Sequence, residues 1–254
     1  MNLVLQGAAL SPPLSKDAIS ELVALTGANH VVTLGPCAWR LTGVTEQPQV
    51  QAWCAHRGLD FAWLPDERRL ADLRLLALDM DSTLITIEGI DEMGDLLGIR
   101  QRIAMVTAAA MRGEIDYPES LRRRVALLAR CRQQGIRTLL VSGGFSFFTQ
   151  HLKELLQIDF TLSNELEIAG GRLTGRLLGD LVDGAAKAAK LVAVRNELGI
   201  SRAQTLAVGD GANDIPMMRE AGLSVAYRAK AVVREHATHV LDYAQLDGVL
   251  NLFL

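Results

Sequence analysis

The chain is short of cysteine and carries no surplus of basic charge, and each shortage removes a class of protein. Its three cysteines, Cys37, Cys54 and Cys131, lie far apart in 254 residues. They support neither a disulfide framework nor a zinc site and read as reduced thiols of an intracellular protein. With 26 Lys and Arg against 29 Asp and Glu, the net charge is −3. That balance, without any basic stripe, gives no electrostatic footprint for nucleic acid. The five histidines form no ligand set; His236 and His239 share a helical spacing but have no third partner, and read as surface or packing residues. The opening MNLVLQGAALS has no positively charged n-region of a signal peptide. No apolar run approaches the ~18 residues of a membrane helix. A cytoplasmic protein with neither a membrane nor a nucleic-acid partner is expected.

What is present is a change of texture near residue 70. Residues 1–70 alternate short strand and helix candidates and predict a small α+β module. In it SKDAISELVALTG forms a helix with Ser15 as N-cap and Gly27 as its stop, and PQVQAWCAHRG forms a second helix. A charged stretch from Asp66 to Asp72 suits a linker or a solvated helix. From 71 to 254, four short apolar runs predict buried parallel strands: 75–79, 137–144, 205–211 and 223–227. Helical patterns at 118–134, 145–156, 184–198 and 213–221 separate them. That alternation predicts an α/β fold with a doubly wound, Rossmann-like parallel sheet. LEIAGGRLTG stands apart as a hairpin turning on Gly170 and Gly171.

In such sheets ligands bind beyond the carboxyl ends of the strands. Three of the four strands end in polar or glycine-rich sequence: Asp79-Met80-Asp81-Ser82-Thr83, Ser142-Gly143-Gly144 and Gly209-Asp210-Gly211-Ala212-Asn213-Asp214. Taken singly, each is ordinary turn chemistry. Together they would crowd Asp79, Asp81, Asp210 and Asp214 into one site. Two like charges ~4 Å apart cost about 4 kcal/mol even at an effective dielectric near 20. A hard divalent cation such as Mg²⁺, completed by a phosphate, relieves that repulsion.

DMDST, SGG, Lys187 and GDGAND resemble, in order, the four motifs of the haloacid dehalogenase-like phosphatases, and most nearly the branch acting on phosphoserine. The resemblance runs from about residue 73 to the C-terminus. It implies a helical cap inserted after the first strand, at about 86–130, and a Mg²⁺-dependent hydrolysis of O-phospho-L-serine. It implies that Asp79 is the nucleophile, forming an aspartyl-phosphate. Asp81 acts as acid and then base. Asp79, Asp210 and the Asp81 carbonyl hold the metal, with Asp214 supporting that shell. Ser142 and the Gly143 amide hold a phosphoryl oxygen, Lys187 neutralises the transferring group, and Asn213 helps bind phosphate or substrate. Lys190 is a rival to Lys187 that the motif register alone disfavours. For the substrate's ammonium and carboxylate the resemblance implies Glu88 and Arg124, with Met111 and Tyr117 shielding the site. Outside the family, Glu88 is a first-turn helix acid and Arg122 to Arg124 an ordinary charged run.

Arg124 precedes Ser142 by only 18 residues, about two dozen fewer than the family pattern. A truncated cap and a segment omitted near Ala129-Arg130 both account for this, and the intact register of the flanks favours omission. A phosphoserine-dependent transfer to another alcohol such as homoserine and a broader phosphomonoesterase are the alternative activities; a non-catalytic sensor or scaffold is the alternative class. Residues 1–70 are similar to the degenerate amino-acid-binding modules found ahead of some relatives. Regulation, stabilisation and homodimer formation all stay open for them.

Overall fold

A computed structural model describes residues 1–8, 11–85 and 117–254, with the backbone alone for 117–122. The N-terminal part contains β1 (Asn2–Gly7), α1 (Lys16–Thr26), β2 (His30–Gly35), β3 (Ala38–Thr42), α2 (Gln49–Ala55) and β4 (Leu59–Leu64). Its strands form an antiparallel sheet in the order β2-β3-β1-β4. Helix α1 begins where Ser15 Oγ accepts from Ala18 N at 3.2 Å and ends at Gly27, whose φ of 68° suits the left-handed cap. Alternation along β1 gives the sheet two buried faces. Leu3 and Leu5 pack with Leu22, Trp39, Val50 and Trp53, whereas Val4, with Ala62 and Leu64, joins the core of the larger part.

A 3₁₀ turn at Leu70–Asp72 leads into that larger part. It comprises β5 (Leu75–Asp79), α3 (Tyr117–Gln133), β6 (Arg137–Phe145), α4 (Ser146–Leu156), β7 (Phe160–Ala169), β8 (Arg172–Leu178) and α5 (Gly184–Glu197). After these come β9 (Thr205–Gly209), α6 (Ile215–Glu220), β10 (Leu223–Tyr227), α7 (Ala231–Arg234) and β11 (His239–Leu241). The seven strands run β11-β10-β9-β5-β6-β7-β8, all parallel except the β7–β8 pair.

The continuous apolar runs are explained by cores on both faces. Leu76, Leu78, Leu140, Leu206 and Val225 point to one face, which α3, the N-terminal sheet and the C-terminal turn Leu246–Leu252 cover. Leu75, Ala77, Leu139, Val141 and Ala207 point to the other, which α5 and α6 cover through Leu191, Val194, Met217 and Met218. A one-residue slip would exchange every contact of these strands, so the register is tightly held.

Two departures from the sequence reading have local causes. The 166–175 hairpin does turn on Gly170 and Gly171, at φ of 58° and 75°, but it does not stand apart. The first half of β7 pairs with β6 and makes the hairpin an extension of the main sheet. Strand β11 is only three residues long and carries no periodic signal. Most of the cap expected at 86–130 lies outside the described residues. Its last segment is part of α3, which runs unbroken from Tyr117 to Gln133, and β6 begins four residues later. Among the described residues, no helix is long and apolar enough to cross a membrane.

Candidate active site

The parallel sheet delivers the three polar strand ends to one edge. Asp79 closes β5 and is 5% exposed. Beyond it the backbone breaks out of the strand; Ser82 takes a φ of 56°, a left-handed conformation unusual for a residue with a side chain. On the next strand, the pairing of β6 with β7 shifts register between Val141 and Phe145, which frees Ser142 to Gly144 from the ladder. Ser142 is fully buried; its Oγ donates to Asp81 Oδ2 at 2.9 Å and accepts from Gly144 N at 2.8 Å. On the third strand, Gly209 leads into the turn bearing Asp210 and Asp214. A β-carbon on Gly209 would lie 2.5 Å from the Asp214 carboxylate, so only glycine fits there.

Lys187 joins these segments. Asp183 caps α5 by accepting from Ala186 N at 2.9 Å, which sets Lys187 in the first turn. Gly184 permits the helix start to press on the third loop, since a β-carbon there would lie 2.8 Å from the Asn213 carbonyl. Lys187 is fully buried, and its Nζ donates to Asp79 Oδ1 at 2.5 Å and to Asp214 Oδ1 at 2.7 Å. Asp214 also accepts from Gly211 N at 3.1 Å, and Thr83 Oγ1 donates to Asp210 Oδ1 at 3.4 Å.

The electrostatics follow from burial and crowding. Carboxylate oxygens of Asp79, Asp210 and Asp214 lie within 4.8 Å of one another. Burial first, and then the charge of Asp214, push the Asp79 carboxyl up to about 8, although Lys187 pulls it down. Burial lowers the Lys187 ammonium, but Asp79 and Asp214 outweigh it and hold the value above that of an ordinary lysine. Three mutually repelling carboxylates with one cation between them form a donor set of hard oxygens that a divalent metal fits.

The structure thus brings together Asp79, Lys187, Asp210 and Asp214, and pairs Ser142 with Asp81. Asn213 is exposed on the third loop. Lys190, one turn along α5, takes no part in the buried cluster. Arg124 is 3% exposed; its Nη1 donates to the Leu84 carbonyl at 3.4 Å, and its Nε is buried without a partner. It therefore reaches the loop that follows Asp81. Glu88 and Met111 lie outside the described residues, as does the Tyr117 side chain. Sequence reasoning missed Asn164, which is buried on β7. Its Nδ2 donates to the Gly143 carbonyl at 2.7 Å while its Oδ1 accepts from Val182 N at 2.9 Å, so it fixes the plane of the Gly143–Gly144 peptide. A single asparagine inside SNELEI gives no signal of that.

Comparisons with known proteins place the chain in a family. The family described as haloacid dehalogenase-like hydrolase matches residues 96–219, and a domain of unknown function, DUF4072, matches residues 3–50. The first match begins after Asp79 and Asp81. A phosphoserine phosphatase of Albidiferax ferrireducens is 48% identical over 216 residues, covering 73% of this chain and 91% of the relative. That share of 254 residues leaves about 30 of the aligned positions without a counterpart here. The crystal structure of a probable phosphoserine phosphatase from Vibrio cholerae superposes with a TM-score of 0.75 at 32% identity, covering 99% of this chain and 85% of that one. A structure described as a phospho-aspartyl intermediate analogue of phosphoserine phosphatase gives a TM-score of 0.57 at 31% identity, covering 72% and 99%. Identity at this level over nine-tenths of a curated relative, on a shared fold, means that the chain belongs to the haloacid dehalogenase-like hydrolases, in the branch of its phosphoserine phosphatase relatives.

Proposed function

We propose that the chain is a phosphoric monoester hydrolase that converts O-phospho-L-serine to L-serine and phosphate, with Mg²⁺ as its metal. The observation that carries this reading is the fully buried Lys187 held between Asp79 and Asp214, residues 108 and 27 positions away. Burying a lysine between two carboxyl groups is costly, and no packing role asks for it. A transferring phosphoryl group beside a nucleophilic carboxylate does.

In this reading Asp79 attacks phosphorus, the serine oxygen leaves, and an aspartyl-phosphate forms. Asp81 gives its proton to the leaving oxygen and then takes one from the water that attacks the aspartyl-phosphate. Ser142 and the Gly143 amide hold phosphoryl oxygens, Asn164 anchors the following peptide through the Gly143 carbonyl, and Lys187 offsets the charge of the transferring group. The side chains of Asp79 and Asp210 and the Asp81 carbonyl would hold the metal, with Asp214 fixing both Lys187 and the turn. When bound, the metal offsets phosphoryl charge and lowers repulsion among the carboxylates. Glu88 and Arg124 are the proposed receivers of the substrate's ammonium and carboxylate. Two domains, 1–70 and 71–254, are proposed, with the cap at about 86–130.

Release of inorganic phosphate tests the proposal, with phosphoserine set beside phosphothreonine and sugar phosphates, and with and without homoserine as acceptor. Turnover confined to phosphoserine, unchanged by the acceptor and abolished by Asp79→Asn, supports it. Equal rates on sugar phosphates, or transfer to homoserine in place of phosphate release, would replace it by one of the alternatives.

A further inference from the structure

A chain of hydrogen bonds runs from the N-terminal sheet to the turn that bears Asp210. It starts at Asp60 on β4, which is buried and whose carboxylate accepts from the amides of Asp242, Tyr243 and Ala244 at 2.7, 3.0 and 2.8 Å. Those amides fix the backbone as it leaves β11. Two links then cross to residues 228–230, the loop that follows β10. The Leu241 carbonyl accepts from Arg228 N at 2.7 Å. Asp242 Oδ2 pairs with Arg234 Nη1 at 2.7 Å, and the same guanidinium donates through Nε to the Ala229 carbonyl at 2.8 Å. The last link is Lys230 N, which donates to the Asp210 carbonyl at 3.2 Å.

That last bond acts on one peptide group. The Asp210–Gly211 peptide accepts from Lys230 at its carbonyl and donates to Asp214 Oδ2 through Gly211 N at 3.1 Å. Its plane is held from both sides, and with it the directions of the Asp210 and Asp214 carboxylates. The loop that supplies the Lys230 amide is strained: Arg228 has a φ of 48°. A residue with a side chain keeps that left-handed conformation only where its surroundings enforce it. The bonds from Leu241 and Arg234 enforce it here, and both depend on the segment that Asp60 holds. We propose that Asp60 is a positioning residue for the metal turn. By holding residues 242–244 it keeps the strained loop, and so the Asp210–Gly211 peptide, in the geometry that binds a divalent cation. The N-terminal sheet thereby takes a part in metal affinity. This role rests on the reading that the aspartate cluster holds Mg²⁺, and not on which phosphomonoester is hydrolysed there.

Calorimetric titration of the full-length chain with Mg²⁺ is the test, at a temperature where circular dichroism shows each variant folded. Partners that orient a metal ligand directly are worth about 10–100-fold in affinity, so Asp60→Asn, further out, should weaken Mg²⁺ about five- to tenfold. It should also speed hydrogen exchange at the Lys230 amide. Arg234→Met, which cuts one link without touching the N-terminal sheet, should weaken Mg²⁺ in the same direction. Arg40→Met is the control. Arg40 also ties the N-terminal sheet to the larger part, through the Asn251 and Phe253 carbonyls, but lies off this chain of bonds. Its loss should lower the melting temperature and leave Mg²⁺ affinity unchanged. The proposal is overturned if folded Asp60→Asn or Arg234→Met binds Mg²⁺ as the parent does, or if Lys230 exchange is unchanged in Asp60→Asn. Equal weakening by Arg40→Met overturns it too, since general loosening would then be the cause. A parent that binds Mg²⁺ but hydrolyses other phosphomonoesters overturns the phosphoserine reading alone; a parent that binds no Mg²⁺ overturns both.

Discussion

Metal binding at the aspartate cluster should release a proton, and the amount follows from the position of Asp79. Burial and the neighbouring Asp214 push its carboxyl to about 8, so at neutral pH the metal-free protein keeps it protonated. A carboxylate must be ionised to hold a divalent cation. Saturating Mg²⁺ should therefore expel about 0.9 proton per chain at pH 7, about 0.5 at pH 8 and about 0.1 at pH 9. Apparent affinity for Mg²⁺ should rise about tenfold per pH unit below 8 and level off above it. The folding linkage runs the opposite way. In the metal-free protein Asp79 binds its proton more tightly folded than unfolded. Its contribution to stability is complete below pH ~4 and is lost, at up to ~1.4 kcal/mol per unit, as the pH rises through about 8. Bound metal should cancel that loss.

Calorimetry at pH 7, 8 and 9, in pairs of buffers with different ionisation enthalpies, counts the protons directly. Asp79→Asn, which has no proton to give, supplies the blank. Release below about 0.2 proton at pH 7, or release that Asp79→Asn leaves unchanged, would refute the assignment of the buried proton to Asp79. A release that stays constant from pH 7 to 9 would refute it equally.

Lys187→Met should lower turnover by at least about 10²-fold and destabilise the metal-free chain by ~3 kcal/mol or more, because the buried Asp79 and Asp214 both lose the ammonium that donates to them. Lys190→Met, outside the cluster, should do neither, and equal effects in kinetics and urea melts would undo the distinction. Gly209→Ala forces a β-carbon to within 2.5 Å of the Asp214 carboxylate; Mg²⁺ affinity should fall about tenfold or more, while Gly35→Ala, with nothing within 4 Å, should be silent. Asp60 accepts from the amides of Asp242, Tyr243 and Ala244 at 2.7–3.0 Å. Asp60→Ala should cost about 3 kcal/mol and speed hydrogen exchange at those three amides, and unchanged exchange there would show that the bonds do not persist in solution. Burial first, and then Arg68 at 2.8 Å, lower His239 to about 4. Its stability contribution is present above pH ~6.5 and lost as the pH falls towards 4, by up to ~3 kcal/mol, and His239→Gln should flatten that part of the urea-melt pH profile.

Legibility in the sequence divided along the range of the interactions. Strands 75–79 and 223–227 could be bounded to the residue because their nearly continuous apolar runs end where the sheet ends, and the buried Ser224 inside the second is satisfied by Thr238. Ser15 and Gly27 could be read because a helix cap acts within four residues of itself. The candidate site was legible for a different reason: three polar strand ends make sense together only if a parallel topology gathers them, so the topology supplied what no single motif could. Where a contact joins distant segments and neither partner is chemically unusual, the sequence carries no mark. Asn164 is such a case, since an asparagine in a strand fixes the Gly143–Gly144 peptide through a carbonyl 21 residues away.

Asp60 shows why this has structural consequences. Nothing in LDFAWL distinguishes an anchor from a solvated acid. Yet its carboxylate accepts three amides some 182 to 184 residues away, and Val4, Ala62 and Leu64 from the same sheet enter the core of the larger part. Apolar burial of that kind, roughly 25 cal/mol per Å², holds the two parts together without orienting them. Three directed bonds onto one carboxylate supply the orientation. Across the boundary at residue 70 that composition suggests, apolar packing and directed hydrogen bonds therefore both join the two proposed domains.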